Sequence, residues 1–120
     1  MARRVRATVA ALAAAVQTAA AGAAPLPPFW QALAVCETGG RWDWGARHRH
    51  LEGRQYEGGL GFYAGTWRAW AGAVGVLHRY PHAYLAPARV QVRVGRYGLA
   101  RGGYWGCLEQ HPEIRRLGGR

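Results

Sequence analysis

The stretch Val35-Cys36-Glu37-Thr38-Gly39-Gly40 brings a carboxylate, a cysteine and a chain reversal together within six residues. Pro28 suits the first turn of a helix, where its missing N–H costs nothing, and Gly39 suits ending that helix in a left-handed conformation. The positions i, i+3, i+4 and i+7 counted from Trp30 lie on one helix face, and Glu37 is the last of them. The stretch therefore ends a helix and places a carboxylate at the end of an apolar stripe.

The expected surroundings of this carboxylate favour its protonated form. Desolvation on the apolar face and the negative end of the helix dipole both act against a negative charge at Glu37. A carboxylic acid that stays protonated near neutral pH is what a glycosidase uses as its general acid. The alternative is a frayed helix end with Glu37 in water, so other parts of the chain must decide.

The start of the chain has the composition of an export signal. Three arginines in residues 1–6 precede an alanine-rich run without acidic residues, and Ala21-Gly22-Ala23 is a suitable cleavage site. We expect a signal peptide or N-terminal leader over 1–24 and a linker over 25–28. A membrane anchor is the alternative, but the run is short and polar for a stable span. The protein is thus expected to be secreted or located in the cell wall.

The two cysteines, Cys36 and Cys107, are expected to pair in an exported chain. Such a bridge encloses about 70 residues and would stabilise the fold by about 4 kcal/mol. Two unrelated buried thiols are the alternative. Because the sequence has no CxxC or HExxH spacing, we expect no metal site and no cofactor. His48 and His50 fit an exposed, charged loop better than a metal site.

The chain is basic and rich in tryptophan. Its 16 basic and 6 acidic residues give a net charge of +10, which suits an anionic polymer such as nucleic acid or bacterial cell wall. Flat aromatic rings line sugar-binding grooves and also stack on bases. In a domain of this size we assign Trp30, Trp67 and Trp105 to the core and leave Trp42 and Trp44 open.

The remaining pattern predicts helices joined by glycine-rich loops. A long polar loop spans 39–61, and further helices are expected near 64–71 and 88–101. Glycines at two positions weaken the last of these helices, so close packing against a neighbour must sustain it. A polar C-terminal tail is expected over 108–120.

Four segments, in the order in which they occur, resemble the transglycosylase-like domain of resuscitation-promoting factors. The segments are Trp30-x5-Cys36-Glu37-Thr38-Gly39-Gly40-x-Trp42, Tyr56-x-Gly58-Gly59-Leu60-x-Phe62-x3-Thr66-Trp67, Pro87 to Gly102 with Gln91 near its start, and Trp105-Gly106-Cys107. The similarity covers about residues 29–107.

This resemblance implies a small lysozyme-like α+β domain, predominantly helical, with a disulfide between Cys36 and Cys107. It implies cleavage of peptidoglycan glycan strands at the β-1,4 bond between N-acetylmuramic acid and N-acetylglucosamine. Glu37 would be the single general acid and base, and either a lytic transglycosylase or a hydrolase fits. No nucleic-acid partner is expected. The groove would be lined by residues at or near Trp42, Tyr56, Gly59, Thr66, Trp67 and Gln91.

Two departures from the family pattern keep other functions open. Gly61 stands where the family commonly carries a glutamine, and an Arg- and His-rich segment over 43–55 replaces a short turn. A non-catalytic peptidoglycan-binding module is therefore the first alternative, and a basic nucleic-acid-binding protein is a remote one. If a second catalytic carboxylate exists, Asp43, Glu52 and Glu57 are the candidates.

Overall fold

The structure, a computed structural model, describes residues 24–47 and 56–119. Nearly all of the expected signal peptide lies outside these ranges, and so do His48, His50 and Glu52. Within them, no helix is both long and apolar enough to cross a membrane.

The described residues form a small, predominantly helical domain with one short hairpin. Its elements are α1 (Pro28–Thr38), β1 (Tyr56–Glu57), β2 (Phe62–Tyr63), α2 (Ala64–Val74), a 3-10 helix (Ala83–Leu85), α3 (Ala88–Ala100), α4 (Gly106–Gln110) and α5 (Pro112–Arg115). The two strands are antiparallel, with Tyr56 opposite Tyr63. The expected α+β class and the three expected helices are confirmed.

Helix α1 begins and ends where the sequence predicts. Pro28 occupies its first turn, and Gly39 follows its last residue with a φ of 71°. The N–H of Gly39 donates to the carbonyl of Val35 at 2.9 Å, and the N–H of Gly40 donates to that of Ala34 at 3.0 Å. These bonds satisfy carbonyls that a helix end otherwise leaves without partners. The reversal after Glu37 is therefore fixed by the backbone.

The core lies between α1, α2, α3 and the hairpin turn. Trp30 and Trp67 are fully buried and Trp105 is 5% exposed, which confirms the three core tryptophans. A Cβ atom on Gly95 of α3 would lie 2.8 Å from the ring of Trp30, and one on the next helical glycine would meet another tryptophan ring. The glycines that weaken α3 thus permit close packing.

The C-terminal segment over 108–120, expected as a polar tail, contains the last residues of α4 and all of α5, and it packs on the domain. Ile114 is buried, and Gly119 lies against the ring of Phe29 at the start of α1. α4 begins next to Cys107, whose Sγ is bonded to Cys36 of α1. The disulfide thus holds the start of this segment against α1, and Leu108 and Ile114 pack on the core.

Candidate active site

An open groove of about 560 Å³ lies at the C-terminal end of α1. Its walls come from the end of α1, the hairpin, the first turns of α2 and the segment before α4. The lining residues are Glu37, Thr38, Trp44, Tyr56, Gly61, Phe62, Tyr63, Thr66, Trp70, Tyr104, Trp105 and Gly106. The groove is therefore mainly aromatic, with one acidic residue among the described residues that line it.

Both cysteines of the disulfide help to position Glu37. Its chain neighbour Cys36 is bonded to Cys107, with the two Cα atoms 6.1 Å apart. The backbone N–H of Cys107 donates to Glu37 Oε1 at 3.2 Å. The other oxygen, Oε2, lies toward Gly61, where an added Cβ would be 3.8 Å away. One carboxylate oxygen is thus fixed by the protein, and the second is directed at the groove.

The other described candidates for a second carboxylate lie elsewhere. Asp43 lines a separate, neighbouring pocket. Glu57 is only 2% exposed and accepts hydrogen bonds from His82 Nδ1 at 2.8 Å and from the N–H of Ala83 at 3.0 Å. Glu52 lies outside the described residues. The described groove is therefore a site with a single carboxylate.

Two tyrosines of the hairpin form one wall of the groove. Because Tyr56 pairs with Tyr63 across the strands, their rings stack with centroids 4.4 Å apart. The hydroxyl of Tyr56 donates to that of Tyr63 at 2.7 Å. This hydrogen bond, with smaller contributions from desolvation and from the nearby charges of Tyr63 and Glu37, raises the pKa of Tyr56 above 10.0. The pair presents a flat, neutral aromatic surface beside Glu37.

Another wall of the groove comes from the segment that precedes α4. Trp105 is buried and donates from Nε1 to the carbonyl of Leu60 at 2.9 Å, which ties this wall to the hairpin turn. Tyr104 is exposed, and its hydroxyl donates to the carboxylate of Glu109. That hydrogen bond is the main cause that raises the pKa of Tyr104, and the negative charge of Glu109 adds to it. Tyr104 is therefore oriented by a carboxylate on its own side of the groove.

Of the residues expected to line the groove, Tyr56 and Thr66 do so. Trp67 does not, because it is fully buried and donates from Nε1 to the carbonyl of Tyr80 at 2.8 Å. Gln91 does not either, since it is fully buried on α3 beneath the hairpin turn. Both side chains lie in the core and do not line the groove, where the resemblance implied them.

Gln91 organises the loops behind the groove. Its Oε1 accepts from the N–H of Gly59 at 2.9 Å. Its Nε2 lies within 2.9 Å of the carbonyl oxygens of Trp42, Ala83 and Ala86. One buried amide thus joins three loops, and it supports the hairpin without touching the groove.

Gly59 and Trp42 also act behind the groove. Gly59 is buried, and a Cβ on it would lie 2.6 Å from the ring of Trp42, so the two are packed face to backbone. The carbonyl of Gly59 lies 2.9 Å from Thr38 Oγ1, which ties the hairpin turn to the end of α1. These contacts place the hairpin wall relative to Glu37.

Several groove residues were not predicted from the sequence, among them Phe62, Tyr63, Trp70 and Tyr104. The pairing of Tyr63 with Tyr56 needs the strand register, which a turn of four residues over 58–61 sets. Trp70 follows Thr66 by one helical turn, so helical spacing was the available signal for it. Within the described ranges, no group of three or more His, Cys, Asp or Glu side chains is arranged to bind a metal ion.

The chain is similar to known proteins over most of its length. Residues 24–107 match the transglycosylase-like domain family. Resuscitation-promoting factor Rpf1 of Corynebacterium glutamicum is 37% identical over 95 residues, which covers 79% of this chain and 43% of that protein. This chain thus spans less than half the length of that relative, and no solved structure matches it. The chain belongs to the transglycosylase-like domain family, of the kind that occurs in resuscitation-promoting factors.

Proposed function

We propose that this protein cleaves the glycan strands of peptidoglycan at the β-1,4 bond between N-acetylmuramic acid and N-acetylglucosamine, with Glu37 as its single general acid and base. One observation carries the proposal. A lone carboxylate, fixed through one oxygen by the N–H of Cys107, lies in an aromatic groove of a transglycosylase-like domain.

The first step is proton donation to the glycosidic oxygen. Because Oε1 of Glu37 accepts the backbone N–H, the acidic proton belongs on Oε2, which lies toward the groove. Transfer of that proton to the glycosidic oxygen lets the bond to C1 of the muramic sugar break, and the electron pair leaves with the oxygen. An oxocarbenium-like centre then develops at C1.

The second step returns a proton to Glu37. The Glu37 carboxylate removes a proton from the C6 hydroxyl of the same sugar, and O6 bonds to C1 to give a 1,6-anhydro end. Removal of a proton from water instead would give a hydrated end. A double displacement or an inverting mechanism needs a second carboxylate at a set distance, and none lines the described groove. We infer the anhydro outcome, that of a lytic transglycosylase.

The aromatic walls suit a neutral sugar polymer. The stacked pair of Tyr56 and Tyr63 provides a flat surface, and Trp70 and Tyr104 provide others. Sugar rings pack their C–H faces on such surfaces, while exposed hydroxyl groups of tyrosine and Thr66 offer hydrogen bonds. The groove thereby positions the strand so that the scissile bond lies over Oε2 of Glu37.

The disulfide supports a site of action outside the cytoplasm. Disulfides such as that between Cys36 and Cys107 persist in oxidising compartments and are rare where thiols are kept reduced. The leader over 1–24 has the composition of a signal peptide. We therefore propose that the protein is exported to the cell wall.

Incubation with purified peptidoglycan tests the proposal. The expected result is the release of soluble glycan fragments whose ends, by mass spectrometry, carry the 1,6-anhydro sugar. Hydrated ends, heavier by one water, would retain Glu37 as the acid but replace the transglycosylase outcome by hydrolysis. Binding to the wall without any released fragment would overturn the enzymatic proposal and favour the non-catalytic binding module.

A further inference from the structure

A second pocket of about 400 Å³ adjoins the catalytic groove. It is lined by Arg41, Asp43, Trp44, Gly45 and Arg47. Trp44 lines both this pocket and the groove that contains Glu37. The two pockets are therefore neighbours on either side of Trp44 or along it.

The segment that forms this pocket has a fixed backbone. The N–H of Trp44 donates to the carbonyl of Arg41, and the N–H of Ala46 donates to that of Asp43, each at 3.1 Å. The carbonyl of Trp44 accepts from the N–H of Gly58 at 2.8 Å, which joins the segment to the hairpin turn. The pocket is thus held in place by the same turn that carries the tyrosine wall.

The charges of the pocket favour an anion. The described residues that line it include two exposed arginines and one carboxylate, that of Asp43, so their net charge is positive. Among the described residues, neither Arg41 nor Arg47 lies within ion-pair distance of a carboxylate. The guanidinium of Arg41 lies 5.8 Å from the ring centre of Trp44. Arginine binds carboxylates through two parallel N–H bonds, so both side chains can receive such a group.

We propose that this pocket binds the free carboxylates of the peptide stem on the muramic sugar, so that the enzyme prefers stem-bearing strands. The inference rests on the proposed function. The sugars of the strand are neutral along the groove, whereas the stem attached to the lactyl group carries carboxylates and peptide N–H groups. Arg41 and Arg47 match the carboxylates, and Asp43 matches an N–H donor. The pocket thus contributes specificity, and Glu37 carries out the chemistry.

Paired substrates and paired variants test this inference. Stem-bearing glycan strands are compared with strands whose stems have been removed, using the wild-type protein and the double variant Arg41→Gln/Arg47→Gln. Arg89→Gln is the control, because Arg89 is exposed on α3 and lines neither pocket. We expect wild type to favour stem-bearing strands by about tenfold in kcat/KM, mainly through KM, as one or two exposed charge-assisted bonds would give.

The double variant should lose most of that preference, while Arg89→Gln should keep it. A wild type that cleaves both strands equally, or a double variant that keeps the full preference, would overturn the pocket assignment and leave the proposed cleavage intact. If the wild type cleaves neither strand, the proposed function is wrong. The pocket assignment is then tested by binding of the stem peptide alone.

Binding is followed by NMR titration with an isolated stem peptide and with the same peptide amidated at its carboxylates. We expect the free-acid peptide to shift the NMR signals of Trp44. The affinity derived from these shifts should be weaker by about fivefold or more for the amidated peptide, and likewise in the double variant. Equal binding of both peptides would overturn the inference.

Discussion

Glu37 and Glu57 both lie next to the hairpin turn, but their environments are opposite. Glu37 is half-buried at the groove and receives one backbone N–H, from Cys107. Glu57 is 2% exposed, and both of its oxygens accept hydrogen bonds, one from His82 and one from Ala83. One carboxylate keeps an oxygen for a ligand, and the other has both committed to the fold.

Both residues are glutamates, so the residue type does not decide the role. The role follows from how many of the carboxylate oxygens accept hydrogen bonds within the protein. Glu57 joins β1 to the 3-10 helix, and removal of its charge should affect stability. Glu37 is fixed through Oε1 and presents Oε2 to the groove, so its removal should affect turnover. If this contrast holds, substitutions in the buried hydrogen-bond network should lower stability, and substitution of Glu37 should lower turnover without lowering stability.

Removal of the disulfide should have the largest effect on stability. Replacement of both Cys36 and Cys107 by serine frees a loop with a sequence separation of 71 residues and should lower the free energy of unfolding by about 4 kcal/mol. Denaturant titration of the variant and of wild type measures this. Because the bridge also holds Glu37 and its N–H donor together, turnover should fall even where the variant is fully folded. Unchanged turnover of the folded variant would show that the disulfide is not needed to position Glu37.

Gln91→Leu should come next in size. The substitution leaves the N–H of Gly59 and three carbonyl oxygens without their buried partner, which should cost about 2–4 kcal/mol of unfolding free energy. Gln31→Leu is the matched control, since Gln31 is exposed on α1 and should change stability little. Thermal unfolding of both variants measures the difference. Equal effects of the two substitutions would contradict the assigned role of the buried amide.

Glu57→Gln should lower the unfolding free energy by about 1–3 kcal/mol, because an amide nitrogen cannot accept the bond that one carboxylate oxygen accepts. Exposed Glu113→Gln is the control and should have a smaller effect. Peptidoglycan cleavage should persist in Glu57→Gln below its unfolding temperature. Loss of cleavage in a folded Glu57→Gln protein would break the contrast between the two glutamates.

Tyr63→Phe should have the smallest effect. It removes the acceptor of the Tyr56 hydroxyl, so the pKa of Tyr56 should fall toward 10.0. Since the folded-state pKa in wild type is the higher one, the associated stability is present below pH 10 and is lost as the pH rises through that folded-state pKa. NMR titration of ring-labelled tyrosine measures the shift, with Tyr104→Phe as the control. An unchanged Tyr56 titration in Tyr63→Phe would show that the hydrogen bond to Tyr63 does not raise the pKa of Tyr56.

The sequence predicts the local parts of this fold well. Proline and glycine set the bounds of α1, and the two cysteines pair as expected. Tryptophan content and domain size placed Trp67 in the core correctly, whereas the family resemblance placed both Trp67 and Gln91 at the groove, because motif spacing does not tell which side chains of a motif face the groove and which support the fold. Tyr104 was missed because it reaches the groove only once the disulfide brings its segment to α1.

The most direct test of the account is the turnover of Glu37→Gln on purified peptidoglycan. Glutamine keeps the oxygen that accepts the N–H of Cys107, so the variant should fold with a thermal midpoint close to that of wild type. Without a proton donor at Oε2, release of glycan fragments should fall by about 10²–10⁴-fold, while Glu57→Gln continues to release them. A folded Glu37→Gln protein that releases fragments at the wild-type rate would contradict the account.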